Sequence, residues 1–169
     1  AFGFELGPDD ASTVADHVHR GGALLALHTA VVCFDGHATW RELCGAAWDW
    51  DRSSHPPVGP CRITVTDAGR RHRVTAGAED FEVEDEAYGF LDEVDGLVPL
   101  LTCRHGGRDH PILWARQVGR GRVVTDLLGH TTASLEHPTH RRVLVEAVRW
   151  ATEVRAEVPE GGGDRWASR

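Results

Sequence analysis

Histidines and carboxylates lie where the predicted strands end, and these are the residues with the most chemistry to offer. His28 follows the apolar run LLAL, and His130 follows a second apolar run. Asp85 and Glu86 close a short extended segment. Imidazoles and carboxylates exchange protons near neutral pH, and both are also zinc ligands. The pattern therefore predicts acid–base chemistry or a metal site.

A predicted hairpin adds His110 to this set. Two apolar runs flank Gly119, Arg120 and Gly121, which is typical of two antiparallel strands joined by a glycine turn. A turn centred on Arg120 places His110 opposite His130, and a slip of one residue still leaves the two ends close. Ligands of open α/β sheets bind outside the carboxyl ends of the strands. We therefore expect His28, His110 and His130 to converge at one edge.

Other polar and aromatic residues complete the predicted pocket. His55 lies in a proline-rich loop that could cover the edge, and Tyr88, Trp50 and Trp114 offer aromatic rings to a sugar-type ligand. We predict catalytic roles for His28, Glu86 and His130, substrate binding by His55, Asp85, Tyr88, His110 and Trp114, and zinc binding by His28, His110 and His130. No HExxH or CxxC spacing supports the zinc site. Each residue alone could equally be a solvated strand end or a turn cap.

The elements that must position these residues are read from periodicity and from turn signals. Apolar spacing and start signals predict helices, and short apolar runs predict strands. The predicted helices are 9–20, 39–48 and 138–154, and the predicted strands are 23–28, 61–66, 81–85, 97–103, 112–115 and 123–128.

This order predicts an α/β fold, a three-layer sandwich whose sheet is mostly parallel with an antiparallel hairpin. We expect residues 1–155 to form one domain and the glycine-rich residues 156–169 to form a flexible tail. The strand at 23–28 reads as a central one, because it is apolar without alternation. No parallel partner precedes it, and the chain does not begin with methionine. We therefore expect one or more N-terminal strands to be missing.

Composition excludes several classes of protein. The net charge of −8 argues against a nucleic-acid partner. No apolar run approaches the roughly 18–20 residues that cross a bilayer, and no signal peptide is visible. Four cysteines without CxxC spacing are typical of reduced thiols. These features predict a cytoplasmic protein, and arginine used in place of lysine suggests a bacterial one. The sequence allows a homo-oligomer.

Several segments together resemble a known family. RGGALLALHTA, WRELCGAAW, SSHPP, DEAYGF, DHPILWARQVGRGRVV and LLGHTTASLEHPTHRRVLVEAVRW are similar to the ThuA-like family, named for trehalose utilisation. The resemblance covers about residues 9–150. It implies a Rossmann- or flavodoxin-like fold of the class I glutamine amidotransferase-like superfamily. It also places the family's motif residues on the set already described: His28, His55, Asp85, Glu86, Tyr88, His110 and His130.

The same resemblance implies what the protein does not do. Many members of that superfamily carry a nucleophilic cysteine in a strained turn where this chain has His28, and imidazole does not replace a thiolate in glutamine hydrolysis. The resemblance implies an enzyme of carbohydrate metabolism, a hydrolase, lyase or isomerase acting on a sugar or keto-sugar. A non-catalytic sugar-binding or interaction module of the same fold is the alternative. A shortened copy that needs a partner's strand is a third reading.

Overall fold

The computed structural model describes residues 7–34 and 37–153. Within them the chain forms five α-helices, a 3₁₀ turn and eight strands. In chain order these are α1 (Pro8–His19), β1 (Ala23–Leu27), the 3₁₀ turn (His28–Val32), α2 (Ala38–Cys44), β2 (Ala46–Ala47), β3 (Gly59–Val65), α3 (Asp67–Arg71), β4 (Phe81–Asp85), β5 (Asp92–Glu93), β6 (Pro99–His105), β7 (Arg108–Val118), β8 (Gly121–Asp126), α4 (Thr132–Glu136) and α5 (Pro138–Thr152).

The main sheet has six strands in the order β1-β8-β7-β6-β3-β4, and its directions differ from the prediction. β1 runs parallel to β8, whereas the other four pairings are antiparallel. The prediction of a mostly parallel sheet is therefore wrong. The connections between β6 and β7 and between β7 and β8 are two residues each, so these strands return directly as antiparallel neighbours. The α/β class holds, and the Rossmann-like topology stays a prediction.

Strand β1 is an edge strand, not the central strand that its apolar sequence predicted. Among the described residues it pairs with β8 alone, and its leucines Leu24, Leu25 and Leu27 are at least partly exposed. An unbroken apolar run normally indicates burial on both faces of a sheet. Here, among residues 7–34 and 37–153, one side of the run has no neighbouring strand.

The hairpin of β7 and β8 forms one residue away from the predicted register. Val118 faces Gly121, and Leu113 faces Asp126. β8 ends at Asp126, so the chain has left the hairpin before it reaches His130. His110 instead pairs with Cys103 of β6. The predicted pairing of His110 with His130 is therefore wrong.

Helices cover both faces of the β1–β8 end of the sheet. Val123 packs in a buried cluster with Ala15 of α1 and Trp40 of α2. Its neighbour Val124 points to the opposite face and packs in the main core, which also contains Ala147 of α5. Successive side chains of β8 thus pack against helices on opposite faces of the sheet. This packing fixes the ends of the strands between the two helical layers.

The start of β8 passes very close to the end of α1. Gly121 packs so tightly there that a Cβ atom would overlap the carbonyl oxygens of Val18 and Gly22. Glycine is needed here because the backbone of β8 lies directly against the backbone at the end of α1. This contact anchors the parallel strands β1 and β8, which lead to the site.

Two further expectations can be compared with the structure. No helix among the described residues is long and apolar enough to span a bilayer. The predicted tail 156–169 and the last residue of the predicted C-terminal helix lie outside the described residues, as do residues 1–6.

Candidate functional site

His28 is held in a strained conformation at the end of β1. Its φ is +43°, in the left-handed region that non-glycine residues rarely adopt. The ring Nδ1 lies 2.8 Å from the carbonyl oxygen of Leu127, which can only accept a hydrogen bond. Nδ1 therefore carries the proton, and in the neutral ring Nε2 has a free lone pair.

Three side chains from three separate segments meet at this lone pair. His28 Nε2 lies 3.2 Å from His130 Nδ1 and 3.7 Å from Glu86 Oε2. His130 Nδ1 lies 3.1 Å from the same Glu86 oxygen. The side chains of His28 and Glu86 are 11% and 13% exposed, and that of His130 is 40% exposed. The cluster is therefore open to solvent mainly on the His130 side.

Two more predicted residues hold this cluster. His55 Nδ1 lies 2.8 Å from the second oxygen of Glu86. The hydroxyl of Tyr88 lies 3.2 Å from His28 Nε2, and its ring stacks on the His28 ring at 4.7 Å. Burial and then the charges of Glu86 and Asp85 raise the pKa of Tyr88 above its ordinary range. Tyr88 is therefore a neutral phenol that donates a hydrogen bond at pH 7.

Asp85 positions the cluster from beneath, through bonds to the backbone. Its side chain is fully buried, so the predicted substrate contact is wrong. Oδ1 accepts hydrogen bonds from the backbone N–H groups of Glu86 at 2.7 Å and His130 at 3.2 Å. Oδ2 accepts one from Gly129 at 2.7 Å. One carboxylate thus ties the end of β4 to the loop after β8, which brings Glu86 and His130 together.

His110 lies outside the cluster, so its predicted roles in zinc and substrate binding are not supported. It is buried, its Nδ1 accepts from the backbone N–H of Phe90 at 3.2 Å, and its Nε2 donates to the carbonyl of His105 at 3.2 Å. Burial lowers the pKa of His110. Both ring nitrogens are occupied by the backbone. His110 therefore holds the loop around Phe90, whose φ is +58°.

The aromatic wall beside the cluster differs from the predicted one. Trp114 is fully buried and its indole donates to the Cys44 carbonyl, so the predicted substrate contact by Trp114 is wrong. Trp48 instead meets Tyr88 edge-on at 5.1 Å and Trp50 at 6.0 Å. The sequence reasoning missed Trp48, although the repeated tryptophan in WDW, directly before the His55 loop, is a signal that could have identified it.

A buried ion pair supports the segment that precedes His130. His140 Nε2 lies 2.9 Å from Asp126 Oδ2, and its Nδ1 lies 2.8 Å from the Ser134 carbonyl. The other Asp126 oxygen accepts from the backbone N–H of Leu128. Burial alone lowers the pKa of His140, but the hydrogen bond and charge of Asp126 outweigh it and raise the pKa. His140 therefore links α5 to the end of β8.

Comparison with family models identifies the family of the chain. The family model described as "Trehalose utilisation" matches residues 4–151. The chain belongs to the ThuA family. The matched range includes every residue of the cluster and of the aromatic wall. Among curated proteins, none matches the sequence.

Solved structures of two putative ThuA-like proteins and of a bacterial cytoplasmic protein share the fold. A putative ThuA-like protein from Parabacteroides merdae has a TM-score of 0.75 and 18% identity, covering 94% of this chain and 71% of its own. One from Bacteroides uniformis has a TM-score of 0.68 and 18% identity, covering 84% and 63%. A cytoplasmic protein from Salmonella typhimurium has a TM-score of 0.60 and 14% identity, covering 89% and 63%. The ThuA-family chain thus spans about two thirds of the length of these relatives.

Proposed function

We propose that this ThuA-family protein acts on a sugar or keto-sugar as a hydrolase, lyase or isomerase. The observation that carries the proposal is the meeting of His28, Glu86 and His130 within 3.1–3.7 Å of one another. Titratable groups gathered in this way from distant segments, at a strained residue, are characteristic of catalytic sites.

The hydrogen bonds favour proton transfer next to a carbonyl group. His28 Nε2 is the base, because its other nitrogen is fixed as a donor to Leu127. In a keto-sugar, His28 removes the proton from the carbon beside the carbonyl, and the electron pair moves to the carbonyl oxygen. Tyr88 donates a hydrogen bond to that oxygen, and Glu86 stabilises the resulting imidazolium. Proton return at another carbon gives isomerisation, and loss of a leaving group gives elimination.

The aromatic wall supports a sugar as the substrate. Trp50 is 59% exposed and meets Trp48, which in turn contacts Tyr88 and lies 5.9 Å from the His55 ring. The apolar faces of sugars pack on such rings. The trehalose description of the family model also supports this class.

Turnover of a panel of keto-disaccharides tests the proposal. We expect His28→Ala and Glu86→Gln each to lower kcat at least 100-fold, the usual range for loss of an acid–base group. His17→Ala is the matched control, because His17 is an exposed histidine on α1. Unchanged turnover in both site variants would contradict the proposal.

The exposed wall also favours a second candidate, a sugar-binding module without catalysis. Trp50 and Trp48 can stack on a sugar without any proton transfer. Calorimetry that shows tight binding of an intact sugar, with no product after hours, would favour this alternative.

We infer further that the protein is not a glutamine amidotransferase. His28 occupies the strained turn, and the nearest thiol, Cys33, has its Sγ directed to the Thr29 carbonyl at 3.5 Å. Burial raises the pKa of Cys33, which disfavours a nucleophilic thiolate.

We also propose a cytoplasmic location and a small carbohydrate as the partner. The Salmonella relative is named a cytoplasmic protein, which supports the location. The net charge of −8 supports the absence of a nucleic-acid partner. A homo-oligomer stays a prediction.

A further inference from the structure

We propose that His28 Nε2, His130 Nδ1 and one oxygen of Glu86 bind a divalent cation, zinc by the chemistry of the donors. The inference rests on the proposed function only in placing the reaction at these side chains, and it changes the role of His28. With a cation bound, the only lone pair of His28, on Nε2, is taken up by the ion, so a water-derived oxygen at the ion's open position would accept the substrate proton in place of His28. Metal binding itself needs no sugar. Glu86 replaces His110 in the ligand set that the sequence predicted, since His110 is bonded to backbone groups elsewhere.

The distances between the three donor atoms fit one small ion. They form a triangle with sides of 3.1, 3.2 and 3.7 Å. Zinc–nitrogen and zinc–oxygen bonds of about 2.0–2.2 Å in a tetrahedron put neighbouring ligands roughly 3.3–3.6 Å apart. The donors therefore lie close to the required separation before any metal arrives, and small side-chain rotations are sufficient to complete the geometry.

The partners of each donor match what metal ligands need. A ligating histidine usually donates its other N–H to a carbonyl or carboxylate, and His28 does this to Leu127 at 2.8 Å. The second oxygen of Glu86 is held by His55 at 2.8 Å. The backbone N–H groups of Glu86 and His130 both bond to buried Asp85. Two ligands are thus oriented through fixed partners, and the third is carried on a fixed backbone.

Binding requires a proton shift on His130 and the release of His28 Nε2 from the Tyr88 hydroxyl, which lies 3.2 Å away. The Nδ1 of His130 must be the lone-pair nitrogen, so the proton moves to Nε2. Two imidazoles and one carboxylate neutralise one of the two charges of the ion and leave a fourth position. Catalytic zinc sites keep such a position for water or a substrate oxygen. The 40% exposure of His130 marks the side from which that oxygen enters.

Zinc titration of the full chain, freed of metal by a chelator, tests the inference. We expect one ion per chain by calorimetry. Cobalt in place of zinc should give the strong visible absorption of four-coordinate sites. His28→Ala and His130→Ala should each weaken binding at least 100-fold. His55→Ala should weaken it about 10–100-fold, as loss of an orienting partner does. The His17→Ala control should bind as the wild type does.

Either of two results would overturn the inference: a wild-type chain that takes up no stoichiometric zinc, or a His130→Ala variant that binds as tightly as the wild type. Circular dichroism checks the fold of each variant. Glu86→Gln, which keeps the shape of the side chain but removes its charge, provides a second ligand test if an alanine variant does not fold.

The proposed function fails separately from this inference. Keto-sugar turnover by a chain that binds no zinc would leave the proposed function standing and refute the metal. Zinc bound at this site without turnover of any sugar in the panel would support the metal site and refute the proposed function.

Discussion

Replacing Asp85 with asparagine should destabilise the fold and loosen the site together. Asp85 is fully buried and accepts three backbone hydrogen bonds, from Glu86, Gly129 and His130. Asparagine has one oxygen and one NH₂ group. Whichever way the amide turns, at least one of these N–H groups faces another donor. Each remaining hydrogen bond is made to a neutral amide oxygen instead of a charged carboxylate oxygen.

The magnitude follows from those bonds. A hydrogen bond to a charged group contributes about 1.5–3 kcal/mol, and a buried donor left without a partner costs about 1–3 kcal/mol. We therefore expect Asp85→Asn to lower the free energy of unfolding by about 3 kcal/mol. For a domain of this size each kcal/mol moves Tm by about 2–4 °C, so the expected shift is roughly 6–12 °C.

Chemical denaturation followed by tryptophan fluorescence measures this loss. Asp109→Asn is the matched control, because the Asp109 side chain is 61% exposed and pairs with Arg104 on the surface. Such a pair contributes about 0–1 kcal/mol. Equal midpoints for the Asp85 and Asp109 variants would refute the view that one carboxylate ties β4 to the loop after β8.

Three further predictions concern the site and its supports. Tyr88→Phe keeps the ring on His28 but removes the hydroxyl, so kcat on a keto-sugar should fall about 100-fold, as for loss of one donor to a developing oxyanion. His140→Gln should lower stability most at acidic pH. The pKa of His140 is raised in the fold by Asp126, so the stability that it adds is complete below its unfolded value of about 6.5 and is lost as the pH rises through the folded value. Gly121→Ala should cost about 1–3 kcal/mol, because a methyl group would overlap two carbonyl oxygens.

Each of these has its own check. Kinetics on Tyr88→Phe should be accompanied by a melting curve, and a turnover equal to that of the wild type would remove the phenol from the mechanism. Denaturation between pH 5 and 9 should show that His140→Gln has a lower free energy of unfolding than the wild type, by an amount that shrinks as the pH rises. A difference that is constant with pH would contradict a raised pKa of His140 in the folded state. Gly59→Ala is the control for Gly121→Ala, because a Cβ there meets no atom closer than 3.7 Å.

Much of the site could be predicted because strand ends are local signals. The predicted strand 81–85 ends at the same residue as β4. The predicted strand 23–28 ends one residue after β1. Side chains at such ends lie at the edge of the sheet whatever the order of the strands. His28, Glu86 and His130 therefore meet although the prediction of a parallel sheet was wrong.

The errors share one cause, which is that burial depends on distant neighbours. Trp114 lies in an apolar strand, and the sequence does not show whether its side chain faces a ligand or the core. In the structure its indole N–H donates to the carbonyl of Cys44, a residue distant in sequence, and the side chain is in the core. His110 failed as a ligand because the Phe90 backbone occupies its ring nitrogen. The apolar run of β1 gave no sign that its outer edge lacks a described partner.

Tyr88 gives the protein a built-in label. It is the only tyrosine in the chain, and its hydroxyl lies within 3.2 Å of His28 Nε2. A protein grown with fluorotyrosine would therefore show a single fluorine resonance, and that resonance would come from the centre of the cluster. The binding of a sugar, a cation or a proton beside His28 would each shift this one resonance. No other residue would need to be replaced or labelled.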